Sequence, residues 1–409
     1  MKKIIKSVCG LLSVACMLLL GSITALKAEL PEQFSVVEGS GLYLDGAVEV
    51  TAQRAATGQA VETASLRAGS SYTASLKLFG LFPVKDVAVS VVDLPVVVPC
   101  GTPFGIKMFT DGVLVVGMSD VDTASGPYNP ARSAGMKEGD VIESIDKVAV
   151  STTEEVAKLV EESGGKTMTF HIRRDNLKFD VKFVPAKSVN ENRWKAGLWV
   201  RDSSAGIGTL TFYEPQSKTF AGLGHAVCDV DTGEILPLST GEIVPARIYG
   251  VEKGVSGDPG ELRGGFESGT LGQLTVNGET GIYGSLTNLP SALQTVPVCM
   301  KQQVKTGKAQ VLTTIDGTKP QLYDIQIDQV RYNDSSPTRN MVIVITDPEL
   351  LEATGGIVQG MSGSPILQDG KLVGAVTHVF VNDPTKGFAI FAENMLKTAD
   401  SVVAQQPAA

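Results

Sequence analysis

Apolar and uncharged residues run unbroken from Val8 to Leu26, and no later stretch of the chain is comparably long. Lys2, Lys3 and Lys6 precede the run. Positive charge ahead of an apolar stretch holds that end on the cytoplasmic side while the rest crosses. The run is long enough to span a bilayer. Leu26-Lys27-Ala28 lacks the small-x-small pattern at which leaders are cut. Residues 1–28 therefore read as a signal or anchor segment that is not removed, or only slowly, with the bulk of the chain outside the cytoplasm.

Beyond it the pattern changes to period two. Ser71–Leu78 and Val84–Val92 alternate apolar and polar residues across a turn at Gly80–Pro83, which predicts two strands. Ala47–Gly69, rich in Ala, Thr and Gln, reads as loop, so 29–98 is a linker with a small β region. From 190 to 400, short apolar runs at Gly206–Phe212, Gln321–Tyr332, Met341–Thr346 and Lys371–Phe380 are separated by glycine-rich turns. One amphipathic helix closes the chain, Phe391–Val402. Regular short strands of this kind predict a β-barrel or a pair of them. The expected fold class is mainly β.

Between these regions, Gly101–Met108 is a glycine loop leading into a strand, and Val113–Gly117 reads as buried strand. Pro130-Ala131-Arg132-Ser133-Ala134-Gly135 and then Gly139-Asp140-Val141-Ile142 make a turn into another strand. Ser151 with Glu154 has the spacing of a capping box that starts a helix to about Glu162, stopped by Gly164-Gly165. Thr167–Arg173 and Lys178–Val184 close as a hairpin. On these residues 99–186 resemble a PDZ domain. The resemblance implies that Pro103, Phe104, Gly105 and Ile106 bind peptide, their backbone capturing a chain terminus or an added strand.

Composition narrows the function. With 409 residues, two or three domains are expected. Net charge is −9 and no basic tract appears, which excludes nucleic acid as a natural partner. Five Cys without a CxxC pair exclude a zinc or redox motif, so no metal or cofactor is expected. Cys100, Cys228 and Cys299 read as buried free thiols.

The chemistry concentrates in Gly360-Met361-Ser362-Gly363-Ser364-Pro365. An acyl-transfer nucleophile must project from a tight turn while backbone N–H groups point at the developing oxyanion. The segment resembles the nucleophile loop of chymotrypsin-like peptidases, with Ser362 as nucleophile and the amides of Gly360 and Ser362 as oxyanion donors. Ser364 competes but stands where that family has glycine. Met361 stands where that family has an aspartate. Only three His can supply a base. His171 falls in the PDZ-like region, His378 follows Ser362, and His225 lies in a small-residue setting, Gly222-Leu223-Gly224-His225-Ala226, which suits a base facing a cleft. Asp347 is the candidate orienting carboxylate, with Asp229 and Asp231 as rivals; a helix-cap role before Pro348 competes for Asp347.

Together with the anchor, the segments Thr346–Ile366 and Gly374–Thr385 resemble the stage IV sporulation protein B peptidases of spore-forming Firmicutes. That resemblance implies a chymotrypsin-like double β-barrel at 190–400 with His225, Asp347 and Ser362 as triad. It also implies export into the space between the spore membranes, self-cleavage, and cleavage of a membrane-bound regulator of an intramembrane protease. Two alternatives stand beside it: an HtrA-like quality-control protease, which would carry its PDZ after the catalytic domain, and a non-catalytic PDZ scaffold.

Overall fold

The computed structural model describes residues 2–44, 46–53, 62–175, 177–287 and 294–405. Helix α1 (Lys2–Glu29) contains, at Gly10–Glu29, the one segment among the described residues long and apolar enough to cross a membrane. A four-stranded sheet follows: β1 (Gln33–Val37), β2 (Val48–Gln53), β3 (Ser71–Leu78) and β4 (Phe82–Val92), in the order β1-β4-β3-β2. The alternation in β3 buries every second side chain, as period two requires. The reading of Ala47–Gly69 as loop is corrected at its start: Val48–Gln53 pairs with β3 residue by residue. Val48 and Val50 share the face that packs on this sheet's core, which outweighs the polar residues between them. Residues 54–61 of that expected loop lie outside the described residues.

The central architectural fact lies in two long antiparallel strands. β5 (Pro103–Met118) leads into a PDZ body of β6 (Val141–Ile145), helix α2 (Thr153–Glu162), β7 (Met168–Arg174) and β8 (Leu177–Phe183). The chain returns along β9 (Leu198–Glu214), which pairs with β5 from Leu198↔Met118 to Thr209↔Pro103. It continues through β10 (Thr219–Gly222), β11 (Leu238–Glu252), β12 (Gly272–Gly278) and β13 (Gly281–Leu286). Successive pairings run β5-β11-β12-β13-β10-β9 and back to β5, closing a six-stranded barrel.

The PDZ body is therefore inserted between the first two strands of this barrel rather than set ahead of it. The boundary expected between a PDZ domain at 99–186 and a peptidase domain at 190–400 is corrected accordingly. So is the peptide-binding role of Pro103, Phe104, Gly105 and Ile106. These residues pair on one side with Gly206–Thr209, and Phe104–Ile106 pair on the other with Ile243–Pro245. With both edges used, no peptide can add there. Phe104 is fully buried, edge-on to Phe220. A glycine loop followed by an apolar strand serves a barrel's central strand as well as a carboxylate loop, and only long-range pairing distinguishes them.

Within the PDZ body, Thr152 caps α2 and Glu155 completes the box, one residue beyond the expected Ser151/Glu154 pair. Ser151 still contributes, its amide donating to the Glu155 carboxylate at 2.7 Å. Gly164 and Gly165 take the left-handed conformation that ends the helix.

A second closed barrel comprises β14 (Gly307–Thr313), β15 (Gln321–Val330), β16 (Met341–Ile345), β17 (Pro365–Gln368), β18 (Lys371–Val379) and β19 (Lys386–Phe391). Helix α3 (Pro348–Thr354) bridges β16 to the segment before β17, and α4 (Ala392–Gln405) follows β19. The β17–β18 turn is Asp369-Gly370, both left-handed, as a two-residue hairpin turn demands.

Candidate active site

Ser362 stands on the loop between α3 and β17, in the second barrel. Gly360 and Gly363 hold φ of +97° and +93°, a region in which a side chain would strain the turn. A Cβ on Gly363 would also meet the Thr209 carbonyl at 2.1 Å, because the loop presses against β9 of the first barrel. Strand β9 holds it there: the Thr209 amide donates to Ser362 O, and the Thr209 and Thr211 hydroxyls donate to the carbonyls of Gly360 and Gly363 at 2.9 and 2.7 Å. Met361 turns the opposite way and is fully buried in the second barrel's core. Burying a Met side chain is worth about 2 kcal/mol, so an apolar anchor occupies the place where an activatable enzyme would keep an ion-pairing aspartate.

The Ser362 hydroxyl donates to the Thr377 carbonyl at 3.0 Å. Among the described residues, the amides of Gly360 and Ser362 have no hydrogen-bond acceptor. Ser364 is buried and donates to Thr313 Oγ1 at 2.8 Å, which ties it to the barrel and away from the cleft.

His225 follows β10 on a turn in which Leu223 and Gly224 are both left-handed. Its Nδ1 lies 2.8 Å from the Ala226 carbonyl. A carbonyl only accepts, so Nδ1 carries the proton and Nε2 is left with its lone pair. That is the tautomer a general base needs, fixed by a backbone oxygen. Burial holds the imidazole below its ordinary pKa of 6.5, partly opposed by the Ala226 bond. His378, on β18, sits with its ring 5.2 Å from that of His225. Its Nδ1 is buried without a hydrogen-bond partner among the described residues. Burial, then His225 and Arg339, lower its pKa to about 4. Both rings are neutral near pH 7.

Ser362, His225 and His378 line one cleft of about 540 Å³ between the barrels, with Gly360, Thr377 and residues 204–207 of β9. Asp347 is not among them, and its expected orienting role is corrected. It caps α3, accepting from the amides of Glu349 and Leu350, and its other oxygen accepts from Asp324 N at 3.1 Å. The carboxylate is fully engaged with backbone away from both histidines. Asp229 is buried and paired with Arg201, and it accepts from the amides of Asp231 and Thr232. It shapes the turn after His225 rather than the imidazole. Asp231 pairs with the same arginine at 2.8 Å. His171 pairs with Asp180 at 2.8 Å on the PDZ hairpin.

Sequence reasoning missed the Ala226 carbonyl, because a backbone acceptor has no residue signature. It also misplaced Cys228, which is exposed and lines the cleft; Cys100 and Cys299 are buried thiols with pKa pushed up to about 12 and about 11. A separate groove of about 410 Å³ lies in the PDZ body between α2 and the first residues of β9, with Val156, Val160, Leu198, Trp199 and Val200 in its walls.

Two six-stranded barrels meeting over a glycine-framed serine, with a neutral imidazole of fixed tautomer in the same cleft, define a serine peptidase of the chymotrypsin-like architecture. The profile of the family described as SpoIVB peptidase S55 matches residues 192–396, half of the chain, and that of the PDZ domain matches 121–174. The chain belongs to the SpoIVB peptidase S55 family. No curated protein matches it. Among solved structures, it is similar to the Rv3671c protease of M. tuberculosis in its active form, at 17% identity over 50% of this chain and 78% of that one, with a TM-score of 0.30. The inactive form gives 14% identity, 48% and 84% coverage and a TM-score of 0.29. The PDZ domain of the SdrC-like protein Lmo2051 from Listeria monocytogenes gives 19% identity, 22% and 87% coverage and a TM-score of 0.19.

Proposed function

We propose that this serine peptidase is an exported endopeptidase in which Ser362 is the nucleophile and His225 the general base. Attack begins when the Ser362 hydroxyl leaves the Thr377 carbonyl, a rotation between staggered wells, and gives its proton to His225 Nε2. The Oγ–carbonyl bond forms as the peptide carbonyl's π electrons move onto its oxygen. The amides of Gly360 and Ser362, which have no other acceptor among the described residues, donate to that oxyanion. The oxyanion then re-forms its carbonyl as the C–N bond breaks, while the imidazolium, its Nδ1–H kept on the Ala226 carbonyl, passes the Nε2 proton to the leaving amine. Water then repeats the sequence on the acyl-enzyme. The carrying observation is the His225–Ala226 bond, which leaves the basic nitrogen free in the cleft that holds Ser362.

A fluorophosphonate probe tests the reading. Labelling of the full chain should vanish in Ser362→Ala and fall by orders of magnitude in His225→Ala. Well-folded wild type that never labels would favour the non-catalytic scaffold.

Family membership and the apolar helix α1 support a finer reading. The enzyme is tethered to or released from the outer face of the cytoplasmic membrane of the forespore. It cuts itself and a membrane-associated regulatory protein of an intramembrane protease, and so carries a signal between two compartments during spore formation. Its PDZ body supplies a peptide groove between α2 and β9. N-terminal sequencing of the protein recovered from sporulating cells checks this. A chain with no internal cleavage, in cells where Ser362→Ala leaves signalling intact, would end the signalling role.

A further inference from the structure

Strand β9 touches every working part of the molecule in turn. Residues 198–200 form one wall of the PDZ groove, 204–207 line the catalytic cleft, and Thr209 and Thr211 hold the nucleophile loop. Its pairing with β5 covers one edge over residues 198–209, while partners on the other edge begin only at Leu210. The edge facing the groove is therefore an unpaired row of backbone donors and acceptors, which an extended polypeptide satisfies by adding as a strand.

The joint between PDZ body and barrel falls within this strand. Arg201 faces Leu114 of β5, but Ser203 already faces Phe109, so the register breaks at Asp202. The two residues at the break reach in opposite directions. Asp202 accepts from the amide of Thr153, the first residue of α2, at 2.8 Å. Arg201 grips Asp229 and Asp231, on the loop that follows His225, and Asp229 is fully buried. One peptide unit thus connects the wall of the groove to the segment that carries the base.

We propose that Arg201 and Asp202 form a relay: an extended polypeptide with apolar side chains toward α2, docked on the free edge of β9, shifts α2 against Asp202 and thereby resets the His225 loop through Arg201. The proposal rests on His225 being the base. Docking raises catalytic competence by moving the His225 ring toward the Ser362 hydroxyl, which in the structure donates to the Thr377 carbonyl.

The chain offers two independent reporters. Its only tryptophans, Trp194 and Trp199, both line the groove, so intrinsic fluorescence reads docking. Cys228 is exposed between His225 and Asp229, so its alkylation rate, read by peptide mass mapping, reports the loop without catalysis. The probe is an equimolar pool of decapeptides with free C-termini ending in Val, Leu, Ala or Phe, added to the full chain. The fluorescence shift is expected in wild type, Asp202→Ala and Arg201→Lys, and is lost in Ala157→Arg, which fills the groove from an exposed position on α2. In wild type the pool should raise the fluorophosphonate labelling rate at least threefold and change Cys228 alkylation at least threefold. Asp202→Ala and Arg201→Lys should lose both responses. A fluorescence shift without either response in wild type overturns the relay. So do equal responses in both relay variants, or responses that persist in Ala157→Arg, and absence of any shift overturns the docking. If wild type never labels while Cys228 still responds, the peptidase reading fails and the relay stands.

Discussion

The two barrels are built to the same plan and used differently. The second is closed from consecutive strands, carries Ser362, the proposed nucleophile, and buries Met361 at the foot of its loop. The first is interrupted by a whole PDZ body between β5 and β9, and it carries His225, the proposed base. A barrel whose strands run out into another body inherits the movements of that body, whereas a barrel closed on itself does not. The contrast teaches that Ser362 is held twice, by Met361 packed in its own barrel and by Thr209 and Thr211 of β9 from the other, while the loop after His225 is tied through Arg201 to the strand that walls the PDZ groove.

The largest test of this division is chemical. Ser362→Ala should reduce hydrolysis by about 10⁴-fold or more. Its thermal midpoint should barely move, because one hydrogen bond to a carbonyl is worth about 1 kcal/mol. A large drop in stability would mean that the hydroxyl holds the loop as well. Next comes Met361→Asp, which puts a carboxylate into the second barrel's core. It should destabilise by several kcal/mol, beyond about 3, in urea titration. A fully folded variant would show that the barrel can open at the nucleophile loop, against the rigidity claimed for it.

Asp347 gives a smaller and more discriminating result. As an N-cap, its replacement by Ala should cost about 1 kcal/mol, up to about 2. Asp347→Asn, which can still cap, should keep the labelling rate within about threefold. A folded but inert Asp347→Asn would bring the carboxylate back to His225 in the working enzyme.

The last test is of pH. His225 must be neutral to accept a proton, and burial lowers its pKa below 6.5, so the acid limb of kcat/KM should lie below that value. For His378, the folded pKa is about 4 against 6.5 unfolded. Between those values the unfolded chain binds the extra proton, so stability should decline as pH falls through 6.5 and level off below about 4. His378→Gln should flatten that decline. An unchanged slope would assign it to other groups.

Much of this was legible in the chain because the signals are local. The nucleophile loop needs its glycines within four residues of the serine, so a short motif carries it. The Asp369-Gly370 turn and the Gly164-Gly165 stop are equally local. Of the three His, the small-residue setting favours His225, and the structure places both it and His378 in the cleft. What the sequence could not convey is pairing at a distance. Pro103–Ile106 fits a carboxylate loop and a barrel strand alike until Ile243–Pro245 closes its second edge. Asp347 precedes Pro348, a local signature of a helix start, and there the local reading was the better one. The break at Asp202 leaves no trace in composition, because it arises from how far β5 slips against β9.

The insertion between β5 and β9 also fixes an order of assembly. As the chain emerges from the ribosome, β5 waits exposed for a neighbour that lies some eighty residues later, about the span of the intervening PDZ body. No part of the first barrel can close before that body has been made and folded back. Until that body brings β5 and β9 together, residues 204–207 of β9 are not set in the wall of the cleft, so the site is completed late in assembly.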